Sequence, residues 1–352
     1  MKSIKKSIKD LFVSLKERVK KEVKKETPYF ISEKLITMMF YHRHQTDPRH
    51  YFSEKWFKDL HFQREIFRNK DCILTGYYFH NGNISKNRII IFAPGYGKGC
   101  HYYLDFIHYF TTRGYLVFSY DNMATDESDG KGIKGFPQAI IDLESAIEFV
   151  KKDRNAKDEE IILMGHDIGG YAVGAIAKDH KNIKHIVMLS AYNHGSDLLK
   201  FKGRDWAEDD IKPYLKYIDR AMEKSFPMYS RYTVSKSMRY SHSKFLVIQS
   251  DADELVPMSV GINLYKKKLP NWKRIKYVTL RGRSHNDLYY STDGVFYRNK
   301  MIKSYNSKTN IASRSKLTPA NIETLSNVID KEVYLDMLDK KLMEGIISFI
   351  EK

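Results

Sequence analysis

Cysteine is scarce: Cys72 and Cys100 are the only two in 352 residues. With no CxxC pair, the sequence suggests neither a zinc knuckle nor a disulfide framework. No apolar run approaches the length needed to span a bilayer. The N-terminus also lacks the continuous apolar core of a signal peptide, so a cytoplasmic protein is expected. C2H2 spacing and ribonucleoprotein signatures are absent, and so are internal repeats. The net charge of +17 is therefore read as lysine richness with consequences at the surface, and no nucleic-acid partner is expected.

Apolar residues make up 42% of the chain and charged residues 29%, which suits a globular core. The length fits one large α/β domain with insertions or two small domains. Residues 1–25 hold ten basic and three acidic residues, and Ile4, Ile8, Leu11, Phe12, Leu15, Val19 and Val23 share one helical face. A basic amphipathic helix of this kind suits an anionic membrane surface. It equally suits packing on its own domain or on a second subunit. Residues 29–58 are aromatic-rich, with a helix expected around 31–41. His42, His44 and His50 cluster there without metal-ligand spacing and read as surface or packing histidines.

From residue 60 the pattern changes to strands. Residues 60–68 and 72–79 read as a pair around Asn69-Lys70-Asp71, with Gly76 as a candidate bulge. Strand-like runs follow at 88–93, 115–120, 161–164, 183–190, 244–249 and 275–280. Helices are expected at 102–113, 137–153, after 167, at 259–268 and at 330–350. Residues 292–330 read as polar and irregular, with Thr318-Pro319 as a helix start. The alternation implies a mostly parallel sheet with helices on both faces and functional loops at the carboxyl ends of its strands. Residues 192–243 break it and read as a helical cap. The expected organisation is an N-terminal extension (1–58), a first core part (59–191), the cap (192–243) and a second core part (244–352).

The sequence Met164-Gly165-His166-Asp167-Ile168-Gly169-Gly170 ends one of these strands. Gly165 and Gly169 bracket Asp167 at the spacing of a nucleophile elbow, a strained turn whose neighbours must lack bulk. His166 is expected to point away from the site. Asp253, in Asp253-Glu254-Leu255-Val256-Pro257, and His285, in Gly282-Arg283-Ser284-His285, each follow a later strand. Glu254 and Asp251 are rival acids. The order is nucleophile, acid, histidine, and the Gly95-Tyr96-Gly97 loop follows an early strand. Asp167 has a structural alternative: aspartate is a favoured helix N-cap, and the protein would then be a catalytically silent binding module. Cys100 has no base paired with it in sequence and reads as a small buried residue.

These motifs together resemble the α/β-hydrolase superfamily over about residues 60–290 and the last helix. The body is most similar to the serine-dependent lipase, esterase and S33-peptidase-like members. The Gly-His-Asp-x-Gly-Gly elbow is similar to that of epoxide hydrolases and dehalogenases. The resemblance implies an α/β-hydrolase fold with a short helical cap. It implies Asp167 as nucleophile, Asp253 as orienting acid and His285 as the base that activates water. It also implies an oxyanion hole built from the amides of Tyr96 and Ile168. Pro94 stands where such members carry His before Gly, and Ile168 stands where haloalkane dehalogenases carry Trp. No cofactor or metal is implied. The expected substrate is a small or medium apolar molecule with an electrophilic carbon, with epoxides better suited than halides.

Overall fold

In the computed structural model of the chain, the structure describes residues 32–352 except 34–35, 38–39, 207–215, 268–271, 310–317, 331–332 and 335. The basic segment at residues 1–25 lies outside the described residues. Eight strands form one sheet: β1 (His61–Arg68), β2 (Ile73–His80), β3 (Ile89–Ala93), β4 (Leu116–Tyr120), β5 (Ile161–His166), β6 (His185–Leu189), β7 (Lys244–Ser250) and β8 (Ile275–Leu280). Their spatial order is β1-β2-β4-β3-β5-β6-β7-β8. The β1/β2 and β2/β4 pairs are antiparallel, and all the others are parallel.

The central strands are short apolar runs because helices cover both faces. Along β5, Ile161 and Leu163 point into one core, while Ile162 and Met164 point into the other. This is the period-two alternation of a pleated strand. One core packs against helices α2 (Gln138–Arg154) and α3 (Ile168–Ile176). The other packs against α1 (Leu104–Thr111) and the C-terminal helix α9 (Lys340–Ile350). Between β6 and β7 lie the helices α4 (Gly195–Trp206), α5 (Ile218–Ser225) and α6 (Val234–Tyr240). Among the described residues, no helix is long and apolar enough to cross a membrane.

Four features depart from the sequence expectations. Gly76 is no bulge, since it stays in register with both Glu65 and Tyr120. A Cβ there would sit 2.5 Å from Phe118 Cζ, so the residue is small to admit a ring. The segment expected to be polar and irregular opens with an 18-residue helix, α7 (Thr292–Thr309). Its inward face is part aromatic and part charged, so it shows almost no apolar stripe in sequence; Arg298, Met301 and Tyr305 are buried. A second helix, α8 (Pro319–Val328), follows and starts at Thr318 as expected, with the Thr318 side chain capping Asn321 N–H. The final helix begins ten residues later than expected, capped by the Asp339 side chain on Leu342 N–H. Finally, the helix expected at 259–268 is a 3₁₀ stretch, Ile262–Lys267, which follows a bridge between Tyr192 and Gly261.

Candidate active site

The turn from β5 into α3 places Asp167 at the carboxyl edge of the central strands. Its backbone sits at φ 56°, ψ −117°, in a region that side chains with a Cβ rarely adopt. The flanking glycines make this possible. A Cβ on Gly165 would lie 2.4 Å from the Gly169 backbone, and one on Gly169 would lie 2.0 Å from the Ala93 carbonyl oxygen. The Asp167 side chain makes no capping hydrogen bond to α3. Its Oδ2 instead accepts the main-chain N–H of Tyr96 at 3.1 Å. Ile168 opens the helix, where first-turn N–H groups have no carbonyl four residues back to bond.

The loop after β3 approaches because Gly95 has no side chain. A Cβ at that position would meet Tyr103 Oη at 2.7 Å and Asp167 Cβ at 3.4 Å. The main-chain N–H of Gly95 donates to Tyr103 Oη at 3.0 Å. Beyond it, Gly97 turns with φ 68°, and the His44 ring packs against both Gly97 and Tyr96.

Asp253 and His285 meet beyond β7 and β8. His285 Nδ1 lies 3.0 Å from each oxygen of Asp253. A carboxylate only accepts, so Nδ1 carries a proton, and Nε2 holds the lone pair whenever the ring is neutral. His285 is 1% exposed, and its Nε2 is buried with no hydrogen-bond partner among the described residues. Burial alone would raise the Asp253 carboxyl. The hydrogen bond and charge of His285, helped by the Val256 N–H, outweigh burial and hold it below its ordinary value. The rival acids are engaged elsewhere: Glu254 accepts the His285 main-chain N–H, and Asp251 accepts that of Gly282.

One residue near the elbow was misjudged from sequence. His166 does not point away from the site. It is fully buried, and its ring centroid lies 4.6 Å from that of His285. Burial first, then nearby His285 and Lys98, hold its imidazole well below the ordinary value, so it is neutral. Cys100 is the small buried residue expected, with His101 Nδ1 3.4 Å from its sulfur. Burial and the carboxylates of Asp121 and Asp126 push this thiol well up, so it stays protonated and inert.

Other supports left no local signal in sequence. Lys98 Nζ bonds Asn286 Oδ1, linking the Gly95–Gly99 loop to the histidine loop. Arg298 of α7 is 2% exposed and donates to the Asn286 carbonyl and to Asp287 in the same loop. Near Asp167 an aromatic chain runs Tyr96, Phe40, Phe136, Tyr192, with successive centroids 5.7, 4.9 and 5.4 Å apart. The Tyr192 hydroxyl is buried with no partner among the described residues; burial, then the charge of Asp167, push it well up.

Comparison with known proteins agrees with this architecture. Residues 85–230, which include the elbow, match the model of the family described as serine aminopeptidase, S33. An esterase from Pyrococcus furiosus superposes in one crystal form with a TM-score of 0.51 at 18% identity, covering 71% of this chain and 93% of that one. In a second crystal form the score is 0.50 at 16% identity, covering 71% and 91%. An acylaminoacyl peptidase from Pyrococcus horikoshii gives 0.49 at 17% identity, covering 77% and 44%. No curated protein sequence matches the chain.

Proposed function

The chain has the α/β-hydrolase fold, and on that premise we propose that it is a hydrolase working through an ester on Asp167. The observation that carries this reading is the state of Asp167 itself. A helix N-cap has extended backbone and a side chain bonded to the second or third N–H of the helix. Asp167 has φ 56° and no such bond, and its carboxylate is turned to the Tyr96 N–H. A strained backbone that serves no cap fits a side chain presented for chemistry.

In the proposed reaction a carboxylate oxygen of Asp167 attacks a saturated carbon. The new C–O bond forms as the bond from that carbon to its leaving oxygen or halide breaks, and the leaving atom takes the electron pair. A carboxylate needs no base for this step. In the second step His285 Nε2 takes a proton from water while the water oxygen adds to Asp167 Cγ. The amides of Tyr96 and Ile168 hold the resulting oxyanion. Collapse expels the product alkoxide, which recovers the proton from His285; the Asp167 carboxyl then gives up the second water proton to solvent, which balances the charge on the oxygen or halide freed in the first step, and the carboxylate is restored. Nε2 of His285, which has no partner among the described residues, suits a base that acts on water and not on a protein hydroxyl.

The proposed substrate is a small or medium apolar molecule with an electrophilic carbon. The aromatic residues around Asp167 favour an apolar body. Ile168 offers no side-chain N–H to hold a departing halide, which favours an epoxide. The test is intact-protein mass spectrometry of His285→Gln after incubation with epoxides, alkyl halides and activated esters. A mass gain mapping to Asp167 is expected. Absence of any adduct on the folded variant across the panel would overturn the reading in favour of a silent hydrolase fold.

A further inference from the structure

His166 and Tyr103 take no part in the bond changes just described, yet they join the two loops that do. The Tyr103 hydroxyl lies 2.9 Å from His166 Nδ1, and His166 Nε2 lies 3.1 Å from the His285 carbonyl oxygen. A carbonyl only accepts, so Nε2 must carry the proton. The neutral ring then accepts at Nδ1 from the Tyr103 hydroxyl. That hydroxyl oxygen in turn accepts the Gly95 N–H at 3.0 Å. The donor direction is therefore fixed throughout, from Gly95 to Tyr103 to His166 to the His285 carbonyl. Tyr103 and His166 are both 0% exposed, so water cannot replace a lost link.

One end of this chain is the loop whose Tyr96 N–H holds Asp167. The other end is the backbone of the base. The His285 N–H is tied to Glu254, its carbonyl to His166, and its ring to Asp253. His166 thus supplies one of three anchors that set where Nε2 stands relative to Asp167.

We infer that His166 is a positioning residue for the water-activating step, and that Tyr103 couples it to the oxyanion loop. The inference rests on the two-step reaction proposed above. Attack by Asp167 needs no base, so loosening His285 slows breakdown of the ester and spares its formation. Misplacing a reacting group by about an ångström costs on the order of a hundredfold.

The test uses His166→Asn and His166→Gln in the full chain. Asparagine can still bond Tyr103 but is too short to reach the His285 carbonyl. Glutamine places an N–H where His166 Nε2 stands. Two readouts are taken. One is the low-field proton of His285 Nδ1 by NMR, identified by its loss in His285→Gln. The other is the formation and decay of the Asp167 adduct with styrene oxide by rapid-quench mass spectrometry. In His166→Asn the proton signal is expected to shift or broaden, and adduct decay to slow by about tenfold to a hundredfold. Formation is expected to stay within about twofold, and His166→Gln is expected to recover both readouts. A wild-type signal and decay rate in His166→Asn would overturn the inference. So would an equal loss in both steps that tracks a lowered melting temperature, or failure of His166→Gln to recover. If His285→Gln forms no adduct, the proposed reaction fails and the proton signal alone decides. A signal unchanged in His166→Asn then refutes positioning, and one lost and restored by His166→Gln supports it.

Discussion

The main-chain N–H of Tyr96 and Oδ2 of Asp167 stand 3.1 Å apart, so the loop after β3 grips the elbow carboxylate through a donor no ordinary side-chain change removes. Asp167→Asn keeps a carbonyl for that N–H while ending the nucleophilicity of the group. Adduct formation should fall by about a thousandfold or more. The melting temperature should move by no more than about 2 °C. Mass spectrometry and a thermal melt on one sample check both.

Asp253→Asn separates the two proposed steps. An amide can turn its NH2 toward His285 Nδ1 and so favour the wrong tautomer for a base at Nε2. Ester breakdown should slow by about a hundredfold or more, with ester formation little changed. The variant should therefore accumulate adduct on a substrate that the wild type turns over, which quenched mass spectra would show directly.

Asp121 makes stability depend on pH. Burial, then the charge of Asp126, raise its carboxyl to about 8 against the N–H groups of Cys100 and Glu127 that favour the charged form. A raised acid is stabilising while protonated, so this contribution is fully present below the ordinary value of 3.8 and is lost as pH climbs toward 8. Asp121→Asn does not titrate. Its stability relative to wild type should improve by about 1–3 kcal/mol between pH 5 and pH 8, measured by urea unfolding.

Two glycines should respond oppositely to alanine. At Gly169 the new Cβ would meet the Ala93 carbonyl oxygen at 2.0 Å, and the elbow has nowhere to move. Gly169→Ala should cost about 3 kcal/mol. Gly345 lies in α9, with none of the described residues within 4 Å of a built Cβ. Gly345→Ala should gain about 0.5–1 kcal/mol. Urea midpoints of the two variants give both signs.

The strands were readable because a sheet covered on both faces demands short apolar runs, and Ile161 to Met164 announce one without ambiguity. The elbow was readable because its backbone excludes side chains at Gly165 and Gly169. The register of Asp253 before Val256-Pro257 singled out the carboxylate that lies on His285 over Asp251 and Glu254. What stayed hidden depends on partners far away in the chain. The inward face of α7 is carried partly by Arg298, whose burial makes sense only beside Asp287 and Tyr290. His166 looked idle because its partners, Tyr103 and the His285 carbonyl, lie 63 and 119 residues away. The size of Gly76 answers first to Phe118, two strands later, and then to Phe67 across its own hairpin.

The Arg298 clamp also sets an order of events during synthesis. The elbow emerges from the ribosome long before the histidine loop, and that loop gains its inner clamp only once α7 has followed it out. Until then the loop that carries His285 has its Asp253, Glu254 and His166 anchors in the chain but lacks the bonds that Arg298 donates to Asn286 and Asp287. On the proposed reaction, a chain stalled before α7 would release its Asp167 ester more slowly than the finished protein.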